Sequence, residues 1–246
     1  MRILVATRKD VFMTKCSIAD TNMQEYVILL HGLARSERSL RKLALALEKR
    51  GYRCINYSYP STKHDIATLA EVAVAEALSL CGDATKIHFV THSMGGILVR
   101  QYLSQHHIDN LARVVMLGPP NRGSEVVDRL QNMPGFKLIN GPAGIQLGTE
   151  AMSIPNRLGN AHFELGIIAG TRSINVILST MLPGPNDGKV SVERTKLEGM
   201  KDHIILPVTH PLMMNNALVI EQTVHFLKHG VFSHSESPLI TKGDMC

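Results

Sequence analysis

Apolar residues in this chain gather in short continuous runs. Each run is followed by a stretch in which they recur every three or four positions. "YVILLHG" from Tyr26, "RCINYSYP" from Arg53, "KIHFVTH" from Lys86 and "ARVVMLGPP" from Ala112 are runs of the first kind. Runs of this length, closed by glycine or proline, are expected of strands buried on both faces of a sheet. "SERSLRKLALALEKRG" is of the second kind, with Leu40, Leu43, Ala44 and Leu47 on one helical face. Ser36 is placed to cap that helix, Lys49 and Arg50 suit its C-terminal dipole, and Gly51 suits the position just beyond it. A second helix opens at Asp65 and carries Ile66, Leu69, Ala70, Ala73, Ala77 and Leu80 on one face. "MGGILVRQYLSQH" is a third, and "FELGIIAG", "HIILPV" and a closing helix within residues 211–229 follow.

Repeated alternation of strand and helix predicts an α/β fold, with a mostly parallel central sheet flanked by helices on both faces. The rhythm starts near residue 25 and continues to about residue 230, one domain's worth of chain. Residues 1–24 read as an N-terminal arm or one extra edge strand, and 231–246 as a tail. Met1, Met13 and Met23 are all candidate starts. One stretch breaks the pattern. Residues 121–162 are rich in Gly, Pro and Asn with only short helical patches, and so long a connection reads as a lid-like insertion.

Composition narrows the partners. Hydrophobic residues make up 44% and charged residues 19%, with mean hydropathy +0.04, as in ordinary globular chains. Tryptophan is absent and aromatics are only 4%, so aliphatic side chains must fill the core. The net charge of +5 is densest over residues 35–53, through Arg35, Arg38, Arg41, Lys42, Lys49, Arg50 and Arg53. That pattern is the solvated face of an amphipathic helix, or a weak peripheral contact with an anionic membrane. Tyr52 is the one aromatic residue in that stretch, too few for base stacking, so no nucleic acid is expected as a partner. Cys16, Cys54, Cys81 and Cys246 have no paired spacing, and no apolar run is long enough for a signal peptide core or a membrane span. Reduced thiols and a cytoplasmic location are the expectation.

The chemistry concentrates at "HFVTHSMGGILVR". Ser93 follows a strand directly and precedes a helix, so it stands at the carboxyl end of a parallel strand, where open α/β sheets bind ligands. Gly95 and Gly96 remove bulk where the turn brings helix against strand, and the N–H of Met94 opens the new helix. The segment matches the G-x-S-x-G nucleophile elbow with Thr91 in place of the first glycine. A nucleophilic serine also needs a base, an orienting acid and oxyanion donors. His31-Gly32 ends the first strand beside this turn. Downstream, "LPGPNDGKVSVE" puts Asp187 in a turn-rich loop, and "VTHPL" puts His210 just past the last strand. Serine, acid and histidine then follow the chain order of an α/β-hydrolase triad.

Together, H-G-L, T-H-S-M-G-G, N-D-G-K-V and V-T-H-P-L resemble the lipase and esterase branch of the α/β-hydrolase superfamily. The likeness is greatest to small bacterial lipases with an A-H-S-M-G-G elbow, and "LGPPNRGSE" is similar to their L-G-T-P-x-x-G-S segment. The resemblance implies the α/β-hydrolase fold, a Ser93–Asp187–His210 triad, and oxyanion donors from the N–H groups of Leu33 and Met94. It implies hydrolysis of an apolar acyl ester, small-molecule or lipid, with no metal and no organic cofactor. Acyl transfer to an alcohol, thioester hydrolysis and a non-catalytic binding scaffold are the alternatives; the oligomeric state is not legible.

Other residues compete for roles. Glu193 and Asp202 are rival acids, with Asp202 at the wrong edge of the sheet. His225 and His229 have a zinc-like spacing but no third ligand. His106 and His107 suit a helix C-terminus, His92 a packing role, and His31 a brace for the oxyanion loop. Met94, Leu147, Met152, Met181, Met213 and Met214 are candidates for an apolar acyl site or for plain core.

Overall fold

The computed structural model describes residues 24–174, 179–180 and 182–234. Nearly all of residues 1–24, most of 231–246, and Met181 therefore lie outside the described residues. Six strands form one wholly parallel sheet: β1 (Glu25–Leu30), β2 (Arg53–Tyr57), β3 (Lys86–His92), β4 (Leu111–Leu117), β5 (Glu164–Arg172) and β6 (Asp202–Thr209). Their order across the sheet is β2-β1-β3-β4-β5-β6. The chain therefore runs outward from β1 to β2 and then returns to the other side of β1. That reversal is the switch point at which α/β sheets open a crevice beyond their strand ends.

The continuous apolar runs are explained by two cores, one on each face. Along β1, Ile28 and Leu30 face one core with Phe89, Ile97 and Met116; Val27 and Leu29 face the other with Leu43, Val115 and Phe226. All four β1 residues are 0% exposed, which requires helices on both sides. The first core is covered by α2 (Ile66–Ser79) and α3 (Met94–Leu103), the second by α1 (Arg41–Glu48) and α8 (Ala217–His229).

Local chemistry sets several boundaries. Asp65 caps α2 by accepting from Thr68 N–H at 2.8 Å, and Asn216 caps α8 through Leu218 and Val219 N–H. Gly230, at φ 74°, ends α8 in the left-handed conformation that glycine adopts at no steric cost. Beyond it Phe232 packs on Phe226 and His234 pairs with Asp202, so the chain is held to the body through residue 234.

Three local expectations need correction. Ser36 does not cap with its side chain, because residues Glu37–Leu40 form a 3-10 turn ahead of α1. Leu80 lies beyond the last turn of α2 and is 56% exposed, so the apolar face stops at Ala77. The basic residues of 35–53 do not share one helical face: Arg50 reaches Glu221, Arg53 reaches Gln24 and Tyr26, and Lys42 reaches the Asn215 carbonyl.

Candidate active site

Ser93 sits between β3 and α3 with φ 54° and ψ −121°, one of two non-glycine residues with positive φ among those described. A serine is held in such a conformation only when its surroundings over-determine it. Here its N–H continues the sheet ladder to the Leu117 carbonyl at 2.9 Å, while its own carbonyl already accepts from Gly96. Gly95 permits the turn: a Cβ there would lie 2.5 Å from the Leu30 carbonyl oxygen of β1. Gly96 accounts for Thr91. A Cβ on residue 96 would lie 3.2 Å from Thr91 Oγ1 and 3.0 Å from Met116 Sδ, so the second glycine makes room for a side chain at residue 91.

Loops after β1, β3, β4, β5 and β6 meet at this edge. After β1, His31 is buried and stacked on Tyr59, their rings 4.1 Å apart. Tyr59 N–H donates to His31 Nε2 at 3.3 Å, so Nδ1 carries the proton and donates to the Gly32 carbonyl at 2.9 Å. Burial holds this imidazole below its ordinary pKa, hence neutral. Ala34, strained at φ 53°, has its N–H taken by Ser61 Oγ at 3.0 Å. The loop is thus braced on both sides of Leu33. Among the described residues the backbone N–H groups of Leu33 and Met94 have no acceptor.

Asp187 and His210 form one buried unit, 1% and 3% exposed. His210 Nδ1 lies 2.7 Å from Asp187 Oδ2, and the His210 N–H donates to the Asp187 carbonyl at 3.0 Å. Asp187 Oδ1 accepts from the N–H groups of Lys189 and Val190 at 2.9 and 2.8 Å. Every strong acceptor of this carboxylate is therefore used, and the turn-rich "NDGKV" segment supplies most of the donors. Gly118, at φ 54° after β4, closes the back of the pair: a Cβ there would meet Asp187 Oδ2 at 2.9 Å and His210 Nδ1 at 3.1 Å.

His92 completes the support. It is 2% exposed, its ring lies 4.7 Å from that of His210, and its Nε2 is 3.0 Å from the His210 carbonyl. Only a protonated Nε2 can bond a carbonyl, so Nδ1 is the bare nitrogen; it is buried without a partner. Burial, and then His210, push His92 well below its ordinary pKa, with smaller contributions from Arg35 and Lys189. A neutral His92 thereby anchors the backbone of His210.

Ser93 and His210 line one small cavity of about 80 Å³ together with Gly32, Leu33 and His92. The remaining wall comes largely from residues 121–162: Ser124, Val126, Val127, Phe136, Asn140 and Leu147. This insertion is folded as α4 (Glu125–Leu130), α5 (Phe136–Ile145) and α6 (Ile154–Arg157). Of the candidate acyl-site residues, Leu147 lines the cavity. Met94, Met213 and Met214 are core, the alternative left open for them, and Met152 is 73% exposed; the apolar wall is valine, phenylalanine and leucine.

The rival groups are engaged elsewhere. Glu193 is exposed on α7 (Val192–Thr195) and pairs with Lys196 at 2.5 Å. Asp202 binds Phe232 N–H and His234. His225 Nδ1 bonds the Val231 carbonyl and His106 pairs with Glu71; among the described residues no three candidate metal ligands cluster. Sequence reasoning missed Gly118, Gly170 and Arg100. The glycines were signalled only by their places after or within strands. A Cβ on Gly170 would lie 2.8 Å from Asp187 Cβ.

A family model described as alpha/beta hydrolase fold matches residues 25–140. The chain has the α/β-hydrolase fold. Among solved structures it is similar to the mature lipase BlEst2 of Bacillus licheniformis, with a TM-score of 0.66 and 20% identity over 85% of this chain and 94% of that one. A metagenome-derived lipolytic enzyme described with LipS and LipT gives a TM-score of 0.57 and 17% identity, covering 83% and 94%. Phospholipase PlaB of Legionella pneumophila gives 0.58 and 18%, covering 70% of this chain and 46% of that one. No curated protein matches the chain.

Proposed function

We propose that the protein is a serine carboxylic-ester hydrolase acting through Ser93, Asp187 and His210. The observation that carries this reading is the buried His210–Asp187 pair at 2.7 Å, facing the same cavity as the strained Ser93. With Nδ1 engaged by Asp187, Nε2 is the ring nitrogen left to accept a proton. His210 takes the Ser93 proton as Oγ attacks the ester carbonyl, and Asp187 stabilises the imidazolium that forms. The oxyanion is held by the otherwise unused N–H groups of Leu33 and Met94, each contributing on the order of 10²–10³ in turnover. His210 then protonates the leaving alcohol, and water attacks the acyl-Ser93 ester to release the acid. These steps need no metal and no cofactor. The apolar wall from Val126, Val127, Phe136 and Leu147 supports an aliphatic or aromatic acyl group as substrate.

The test is hydrolysis of p-nitrophenyl esters of increasing acyl length, with and without a competing alcohol. An acyl adduct on the Ser93 peptide, found by mass spectrometry, and activity lost in Ser93→Ala are expected. Dominant ester formation with the alcohol would mark a transferase. No turnover and no adduct from folded protein would overturn the reading in favour of a binding scaffold.

A further inference from the structure

Two cations, Arg35 and Lys189, line the cavity that holds Ser93 and His210, and no carboxylate lines it. Neither side chain has a hydrogen bond or an ion pair among the described residues. Some other cations do pair with acids: Arg50 with Glu221, Lys86 with Glu25, Arg113 with Glu164 and Arg194 with Glu125. The acid behind the cavity, Asp187, acts on Lys189 through its charge but pairs directly with neither cation, since Oδ1 is taken by two backbone N–H groups and Oδ2 by His210. Arg35 comes from the loop after β1 and Lys189 from the loop that carries Asp187. Both act electrostatically on the His92 ring, so their charges converge on the centre of the site. Two like charges at one mouth repel each other and favour whatever anion enters between them.

We propose that the substrate is an anionic amphiphile: an acyl ester that carries a phosphate or similar anionic group, held by Arg35 and Lys189 while its chain lies on the wall from the insertion. The proposal rests on the hydrolase reading for the identity of the scissile ester, but the anion site is defined by Arg35 and Lys189 alone. A neutral ester of equal length would fill the apolar wall and leave the two cations unanswered. Charges held at a cavity mouth contribute through both encounter and binding, and salt weakens them.

The test separates this from catalysis by measuring binding to the Ser93→Ala protein, with monooctyl phosphate and 1-octanol as calorimetric probes. Monooctyl phosphate is expected to bind about 10-fold or more tightly than octanol, the range for two partly exposed charge contacts. The preference should fall to about 2-fold or less in Arg35→Gln/Lys189→Gln, survive in Arg35→Lys/Lys189→Arg, and shrink with added salt. Equal binding of the two probes overturns the proposal, as does a preference that persists in the Gln pair. Inorganic phosphate competing as well as monooctyl phosphate would also overturn it, since the site would then hold a free ion. If the Gln pair does not fold, loss of the preference at high salt in the parent decides instead: a salt-independent preference contradicts the two-cation account. Anion binding without ester hydrolysis would leave this inference standing and count against the hydrolase reading alone.

Discussion

The turn at Ser93 and the insertion over it are built in opposite ways. At the turn, backbone meets backbone: Gly95 lies against the Leu30 carbonyl, Ser93 N–H against that of Leu117, and each contact leaves one residue type acceptable. The insertion is an arch tied at its feet, with several apolar side chains exposed along its crown. Arg100 of α3, 4% exposed, donates to the carbonyls of Asn121 at one foot and of Pro155 and Gly159 at the other. Between them Met133, Leu138, Ile139 and Met152 stand 56%, 89%, 67% and 73% exposed. The difference teaches where precision is needed. Under the proposed reading, acyl chemistry at Ser93 tolerates little displacement of nucleophile or oxyanion donors, whereas an apolar chain accepts many walls.

If the turn is as tightly specified as this, Gly95→Ala should be strongly destabilising. Nothing flexible stands at 2.5 Å to yield, so a loss of more than about 3 kcal/mol is expected in denaturant unfolding. Near-parental stability would break the comparison. Arg100→Met tests the arch. It strips three carbonyls of their donor, two of them buried, and a loss of about 3 kcal/mol is expected, with early proteolysis within residues 121–160. Protease resistance equal to the parent would show that the feet are held by something else. Gly118→Ala sharpens the catalytic side: the new Cβ displaces the Asp187–His210 pair, and ester turnover should fall about 100-fold.

The smallest effect concerns pH. Burial holds His31, His88, His92 and His203 below the ordinary imidazole value in the folded chain. The unfolded chain therefore binds more protons below about pH 6.5, and folding stability must fall as the pH is lowered through that value. The slope is at most about 1.4 kcal/mol per pH unit for each group. His92→Gln removes one such proton, so its unfolding free energy should lose less between pH 7 and pH 5 than the parent's. An unchanged slope would mean that His92 is not the neutral anchor of His210.

The same contrast explains what was legible in the chain. Continuous apolar runs announce strands buried on both faces, and "THSMGG" places Ser93 on its turn because glycine is enforced by backbone proximity. The pairing of Asp187 with His210 was legible because both sit in loops at strand ends, in the order the fold allows. Arg100 was hidden because its partners are carbonyl oxygens 21 to 59 residues away, which no sequence pattern encodes. Gly118 was hidden because its neighbours arrive from the loops after β5 and β6. The choice between wall and core for Met213 and Met214 was open in the sequence because closeness to His210 along the chain does not say which way a side chain turns; both turn into the core. The basic residues of 35–53 look alike in sequence, yet Arg50 faces Glu221 and Arg35 faces the cavity. Helical periodicity cannot tell them apart when the helix begins only at Arg41.

The central claim is that Ser93 is an activated nucleophile, and a fluorophosphonate probe reads that property directly. The account predicts stoichiometric labelling of the parent protein, none in Ser93→Ala, and labelling slowed about 10³-fold or more in His210→Ala. Folded protein that resists the probe, or labels equally well without His210, would contradict it.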